Sequence, residues 1–479
     1  MYKNNVDGRH RAALTAVAVA QFLVALDMAV MNVALPAIRA DLGFAPVDLS
    51  WVVHVYALTF GGFLLLGGRA CDLVGRRRVF VVGLMVFGAA SAAGGFAQAP
   101  WQLVAARAVQ GMAAAAIAPA TLATLTTTFT EGRARARALA VWSATNAVGG
   151  AGGVLLGGVL TEYADWRWVM WINIPFVLLA LAAVLAGVTA DRRAAARDRL
   201  DVFGALLATA GVGLLVIGVV RTDHVGWTSP VTLATLAAAA ALLACFVAVE
   251  TRVAAPLVRL SLLGSRWAGG ANLFVFLAGA GQFAAFYLAS LYMQQVLGMS
   301  AGATGVAFLP FSLAVVVGTV LALRLGAVRA PRGLIVAGGS LAAVGMGWFA
   351  LISPDGSVLT DVLGPALFGG LGMGLCLAPV AGAATIGVPA HEAGMASGVF
   401  NSARQLGGSV GVAALATVAA ARTGGATDPA ALNSGYALGL AVTAALFALA
   451  AIAAAVVLPA KKPTDPTTSG EPRASVPAR

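Results

Sequence analysis

The chain has 479 residues, of which 60% are hydrophobic and only 10% charged, and a formal net charge of +11. Its mean hydropathy of +0.90 exceeds what a soluble fold can bury, so a polytopic all-α membrane protein is expected and a soluble domain is not. The three cysteines (Cys71, Cys245, Cys376) and four histidines (His10, His54, His224, His391) are scattered, which leaves no disulfide framework and no metal spacing.

Apolar runs set against charged punctuation predict fourteen membrane spans, at about 13–34, 50–67, 79–97, 102–124, 139–160, 168–188, 202–220, 230–249, 268–291, 303–323, 333–352, 361–385, 405–421 and 436–458. The first run is too long for the apolar core of a signal peptide and has no cleavage site behind it, so no cleavable leader is expected. With the N-terminus in the cytoplasm, 25 of the 30 Lys and Arg residues fall on the inner side, Arg404 among them. Arg39, Arg167, Arg221 and Arg422 fall outside, and Arg107 is left within a span. This asymmetry predicts that both termini are cytoplasmic. It also directs the basic surplus to anionic lipid rather than to nucleic acid. The richness in Ala, Gly and Arg suggests a bacterial chain, and hence the bacterial cytoplasmic membrane.

The charged stretch at 191–201 separates six spans from the next two. The organisation read from it is a six-helix half (1–190), a linker with two extra spans (191–267), a second six-helix half (268–460) and a disordered tail (461–479). The halves repeat. Residues 138–150 align without gaps on 396–408, matching Gly149 and Gly150 to Gly407 and Gly408, and Gly153 then falls on Gly411. Gln21-Phe22 resembles Gln282-Phe283, a register that sets Leu288 opposite Asp27. Two related halves around a central site is a plan used by secondary transporters.

Asp27 lies well inside the first apolar run. A charge at that depth costs at least about 2.5–3.5 kcal/mol and marks a functional candidate. Arg107 lies at a similar distance from the outer end of the fourth span, so the two are expected to meet, facing the central cavity. They are read as a proton site in which substrate arrival changes whether the acid keeps its proton; the competing reading is a static buried ion pair. Asn32, His54, Gln110, Trp142, Asn146 and Gln282 are the candidate cavity residues, each also readable as an interhelical contact. No lysine follows a glycine-rich loop, which excludes a P-loop ATPase, and no nucleophile–base constellation suggests an enzyme.

The loop after the second span reads Gly68-Arg69-Ala70-Cys71-Asp72-Leu73-Val74-Gly75-Arg76-Arg77-Arg78. It resembles the most diagnostic loop motif of the major facilitator superfamily. Gly68, Asp72, Gly75, Arg76 and Arg77 are read as a gating loop, with Asp72 pairing an arginine or capping a helix N-terminus. The stretch from Leu26-Asp27 to Pro36 resembles the first-helix motif of the fourteen-span drug/proton antiporter branch. Arg107-Ala-Val-Gln110-Gly111 resembles the fourth-helix motif, and Asp165-Trp-Arg167-Trp168 with Asn173-Ile-Pro175 the turn into the sixth span. The fifth span keeps its glycines, Gly149, Gly153, Gly157 and Gly158, as close-packing positions, but Val154 stands where the branch has proline.

This resemblance implies a proton-coupled exporter of lipophilic, drug-like molecules that works by alternating access, uses the proton gradient and no cofactor, and acts as a monomer. A dedicated exporter of one endogenous metabolite and a non-transporting sensor or scaffold are the alternatives. With a single deep acid, neutral or weakly charged substrates are expected rather than multiply cationic ones.

Overall fold

The structure is a computed structural model. It describes residues 2–460 except 45–48, 50, 130–131, 190–201, 223–225, 254–255, 257, 327–330, 390–391, 425 and 427. The expected charged linker and tail therefore lie outside the described residues, as do the side chains of Asn32 and Val154. Among the described residues thirteen helices are long and apolar enough to cross a bilayer, and Phe203–Val219 is a shorter apolar helix where the seventh span is expected.

The first seven helices are α1 (Tyr2–Leu42), α2 (Trp51–Val74), α3 (Arg76–Gly95), α4 (Pro100–Thr128), α5 (Gly132–Tyr163), α6 (Arg167–Trp171) and α7 (Asn173–Gly187). The extra pair is α8 (Val202–Val220) and α9 (Pro230–Glu250), packed on each other, with α8 also against α2. After the short α10 (Leu260–Gly264) come α11 (Arg266–Leu291), α12 (Ala301–Ala307), α13 (Leu309–Arg324), α14 (Pro331–Phe349), α15 (Leu363–Ala383), α16 (Ala393–Thr423) and α17 (Pro429–Val457). Two π-helical turns, Tyr292–Val296 and Val358–Val362, adjoin α11 and α15. They are linked by the Tyr292 hydroxyl, which donates to Asp361 at 2.7 Å.

The sixth span is two helices rather than one. Pro175 has no N–H to give the carbonyl one turn earlier, so the helix restarts and Pro175 falls in the first turn of α7. The break sets Asn173 at the start of α7. The thirteenth span also differs from expectation: α16 begins at Ala393, not 405, so Arg404 lies within the membrane-spanning helix instead of on its cytoplasmic flank. The counting of charges missed this because the weakly hydrophobic stretch from 393 to 404 looks like a loop until it is packed.

Glycines set how closely the helices approach. On α5 a Cβ at Gly149, Gly153 or Gly157 would lie 2.6, 2.6 and 2.9 Å from the carbonyl oxygens of Phe22, Leu26 and Val30 on α1. The i, i+4, i+8 spacing runs both helices past each other in step. Gly158 faces open space and does not pack, because it is turned about 100° from that stripe. In the second half Gly407 and Gly411 of α16 meet the carbonyls of Phe276 and Ala280 on α11. Packing thus matches Phe22 to Phe276 and Leu26 to Ala280. The counterpart of Asp27 is Gly281, not Leu288, and the Gln21–Gln282 register is displaced. A Cβ at Gly281 would lie 3.0 Å from the Phe447 ring, so the second half has little room for an acid there.

The halves meet at the end of the bundle that carries Asp72. Leu122, Leu125, Leu139 and Trp142 of α4 and α5 share one buried cluster with Val380, Ala381 and Phe400 of α15 and α16. Trp142, expected on a cavity wall, is therefore core, its indole donating to Thr121 at 3.3 Å.

Substituting Gly153→Val should separate α1 from α5 and destabilise the protein by about 1–3 kcal/mol, whereas Gly158→Val should not. Thermal unfolding of the detergent-purified variants, followed by size-exclusion chromatography, reads the difference.

Candidate functional site

Five helices converge on Asp27, which is fully buried, as is Arg107. Arg107 Nη1 donates to Asp27 Oδ2 at 2.7 Å. Gln110, one turn along α4 and so on the same face, donates through Nε2 to Oδ1 at 3.3 Å. Asn173 Nδ2, delivered by the break before α7, donates to Oδ1 at 2.8 Å. The buried carboxylate thus accepts three side-chain hydrogen bonds, as a buried charge requires.

The arginine is held independently of the acid. Its Nη1 also donates to Gln110 Oε1 at 2.9 Å, and its Nε to the Val52 carbonyl at 3.2 Å. The guanidinium carbon lies 4.2 Å from the centroid of the Tyr56 ring, a cation–π contact. Ser91 of α3 accepts from Gln110 at 2.7 Å. Two buried polar atoms in this cluster have no partner, Asn173 Oδ1 and the Tyr56 hydroxyl.

Asp27 and Arg107 therefore meet as expected but do not face a cavity between the halves. Their partners come from α2, α3, α4 and α7, so the pair sits inside the first bundle. Gln110 belongs to the acid's shell, not to a substrate wall. Asn146 accepts from Gln21 at 2.7 Å, joining α5 to α1. His54 is half-buried on α2, edge-on to Trp51, and Gln282 is half-buried on α11. Sequence reasoning missed Asn173, Ser91 and Tyr56. Asn173 carried a usable signal, a polar residue two before a proline in an apolar span.

The second assembly is the loop after α2. Gly75 turns the chain at φ 100°, a conformation favouring glycine. Asp72 accepts from the backbone N–H groups of Gly394 at 2.9 Å and Met395 at 2.8 Å. It caps the first turn of α16, in the other half, where a negative charge is favoured. Gly68 lets the chains touch, since a Cβ there would lie 2.5 Å from the Gly394 carbonyl oxygen. Arg76 donates to Thr127 on α4 and Arg77 to the Leu185 carbonyl at 3.3 Å. The acid ties the halves together and the arginines brace the first half.

At the opposite end of α1, the Trp166 indole donates to Asp41 at 3.0 Å and Arg167 pairs with it at 2.9 Å. The Trp166 hydrogen bond, with the Arg167 charge, holds the Asp41 carboxyl below its ordinary range despite partial desolvation.

The sequence pattern of the Major Facilitator Superfamily matches residues 17–412. The chain belongs to the major facilitator superfamily. The cephamycin export protein of Amycolatopsis lactamdurans is 46% identical over 94% of this chain and 92% of its own length. The puromycin resistance protein of Streptomyces alboniger is 41% identical over the same shares. The lincomycin resistance protein of Streptomyces lincolnensis is 38% identical over 92% of this chain and 90% of its own. Among solved structures, the human organic anion transporter MFSD10 superposes with a TM-score of 0.67 at 15% identity, covering 93% of this chain and 99% of that one. That likeness concerns the fold alone.

Replacing Asp72 with Ala should weaken the closed contact by about 0.5–2 kcal/mol, the usual worth of a helix cap. Cys71 is buried beside Gly394. In a background with Cys245 and Cys376 changed to Ser, its maleimide labelling should rise several-fold.

Proposed function

We propose that this protein is a proton-driven exporter of lipophilic, antibiotic-like molecules in the bacterial cytoplasmic membrane, with both termini inside. The carrying observation is Asp27 itself, a sealed carboxylate whose side-chain partners are all donors. A proton arriving at Oδ1 would meet two amide N–H groups, so loading requires the shell to change. Rotation of the Asn173 amide supplies that change, because it replaces Nδ2 with the partnerless Oδ1, an acceptor for the new O–H.

Arg107 tolerates the neutral state of Asp27 because Gln110, the Val52 carbonyl and the Tyr56 face still hold it. These neutral contacts keep the guanidinium in place while Asp27 is protonated, but supply no counter-charge. Asp27 also sits beside Leu26, whose carbonyl packs on Gly153. A change in the shell therefore bears on the α1–α5 contact, and release of the Asp72 cap would let the halves reopen at that end. Alternating access then couples proton entry to solute exit, with the proton gradient as the energy source, no cofactor, and the monomer in its bilayer as the working unit.

A narrower reading is supported by the three relatives described above, whose names each concern a single antibiotic or antibiotic class. Dedicated export of one such compound uses the same machinery and differs in substrate range. Resistance profiling of a drug-sensitive host expressing the chain separates the two, since broad export raises tolerance to many unrelated compounds and dedicated export to one.

Asp27→Asn should abolish proton-coupled efflux in everted vesicles while leaving the amount of folded protein unchanged. Vesicles that still pump after this change would sink the proposal and return the scaffold or a different coupling site to contention. Asn173→Ala removes a charge-assisted hydrogen bond worth about 1.5–3 kcal/mol. It should cut efflux by about tenfold or more, with expression unaltered.

A further inference from the structure

A second guanidinium lies deep in the membrane, in the other half, and the proton site does not use it. At ~1.5 Å per residue Arg404 is roughly 16 Å along α16 from Ala393, close to the middle of a bilayer core about 30 Å thick. Arg107 at comparable depth has a carboxylate, two further acceptor contacts and an aromatic face. The ion pairs among the described residues involve Arg107, Arg167 and Arg259, not Arg404. Its Nε is buried with no hydrogen-bond partner, and the side chain as a whole is half-buried.

The helix wheel says where it sits. Gly407 and Gly411 form the stripe of α16 that packs on α11. Gly394, Gly398 and Gln405 form the stripe that packs on α2 of the first half. At about 100° per residue, Arg404 falls in the narrow sector between these stripes, which is the seam between the halves. Gln405, on the α2 side, is buried and its Oε1 is likewise unpartnered. In the repeat, Arg404 stands where the first half has Asn146, which is already satisfied by Gln21. The two walls of the seam thus differ, with a paired amide on one side and an unpaired cation on the other.

An unpaired cation at this depth is a binding group awaiting its counter-ion. We propose that Arg404 binds the negative charge of the transported molecule, so that the cargo is an amphipathic monoanion, with a carboxylate, sulfonate or phosphate on an apolar body. This rests on the export reading and narrows its substrate class. The planar guanidinium suits a two-oxygen acid. Gln405 Oε1 accepts from a donor on the same ligand. A cationic cargo is disfavoured by the same charge.

Binding of two dyes to the full-length protein in detergent tests this independently of proton coupling. The sulfonate 1-anilinonaphthalene-8-sulfonate and the neutral N-phenyl-1-naphthylamine share one apolar body. Arg404→Gln should weaken the sulfonate by about tenfold or more, the worth of a charge-assisted hydrogen bond, and leave the neutral dye unchanged. Arg404→Lys should retain most of the sulfonate affinity. Equal sulfonate affinity in Arg404→Gln and the parent, or parallel loss of both dyes, overturns the assignment. Phosphatidylglycerol is the remaining arm. If it displaces the sulfonate from the parent protein, the anion is a lipid headgroup and the cargo assignment fails; if it does not, the assignment to a solute stands.

Discussion

A fully buried carboxylate governs the first half of this molecule. Asp27 cannot remain charged in an apolar interior unless donors converge on it, and each donor must come from a different direction. Arg107 and Gln110 arrive from α4 and Asn173 from α7, with α2 and α3 holding the arginine and the glutamine in turn. The interruption that Pro175 imposes falls just before Asn173, whose side chain reaches Asp27 from the start of α7. The packing of five helices is thereby tied to one side chain, and a change in its proton occupancy reaches all of them.

The remaining architecture converts such a change into movement of large parts. The glycine stripes of α5 and α16 bring backbone against backbone, which makes α1–α5 and α11–α16 stiff pairs. Between the halves the contacts are of another kind. Asp72 on two backbone N–H groups, Arg135 Nη2 on the Thr385 hydroxyl at 2.6 Å, Gly68 against Gly394 and one shared apolar cluster at the same end form a junction with few polar links. Stiff units joined by a small, directional contact suit rocking, since the junction can separate without unpacking either half.

Arg107 and Arg404 show how similar residues acquire different roles. Arg107 is compensated within its own bundle and so belongs to the resting structure. Arg404 lies at the seam, where the repeat offers no acid in return: the packing counterpart of Asp27 is Gly281, crowded by Phe447. Divergence of the halves has left one wall neutral and the other positive, an asymmetry that a symmetric fold would cancel.

Much of this was legible in the amino-acid order. Hydropathy alone dictates a membrane-spanning bundle, because no other environment accepts such a composition. Asp27 and Arg107 stood out because charges are rare at that depth, and counting along two helices brought them level. The glycine repeats announced close packing, although which glycines touch was decided by helix rotation, and Gly158 missed its neighbour by one position. Asn173 and Tyr56 were hidden because ordinary polar residues become a proton shell only when separate helices meet. Arg404 was misplaced because a weakly apolar flank looks like a loop until it is packed into a helix. Composition and periodicity thus determined the environment, the span count and the acid. The partners of that acid, the true register of the halves and the address of the second cation came only from tertiary structure, since they depend on distances between segments that share no local sequence.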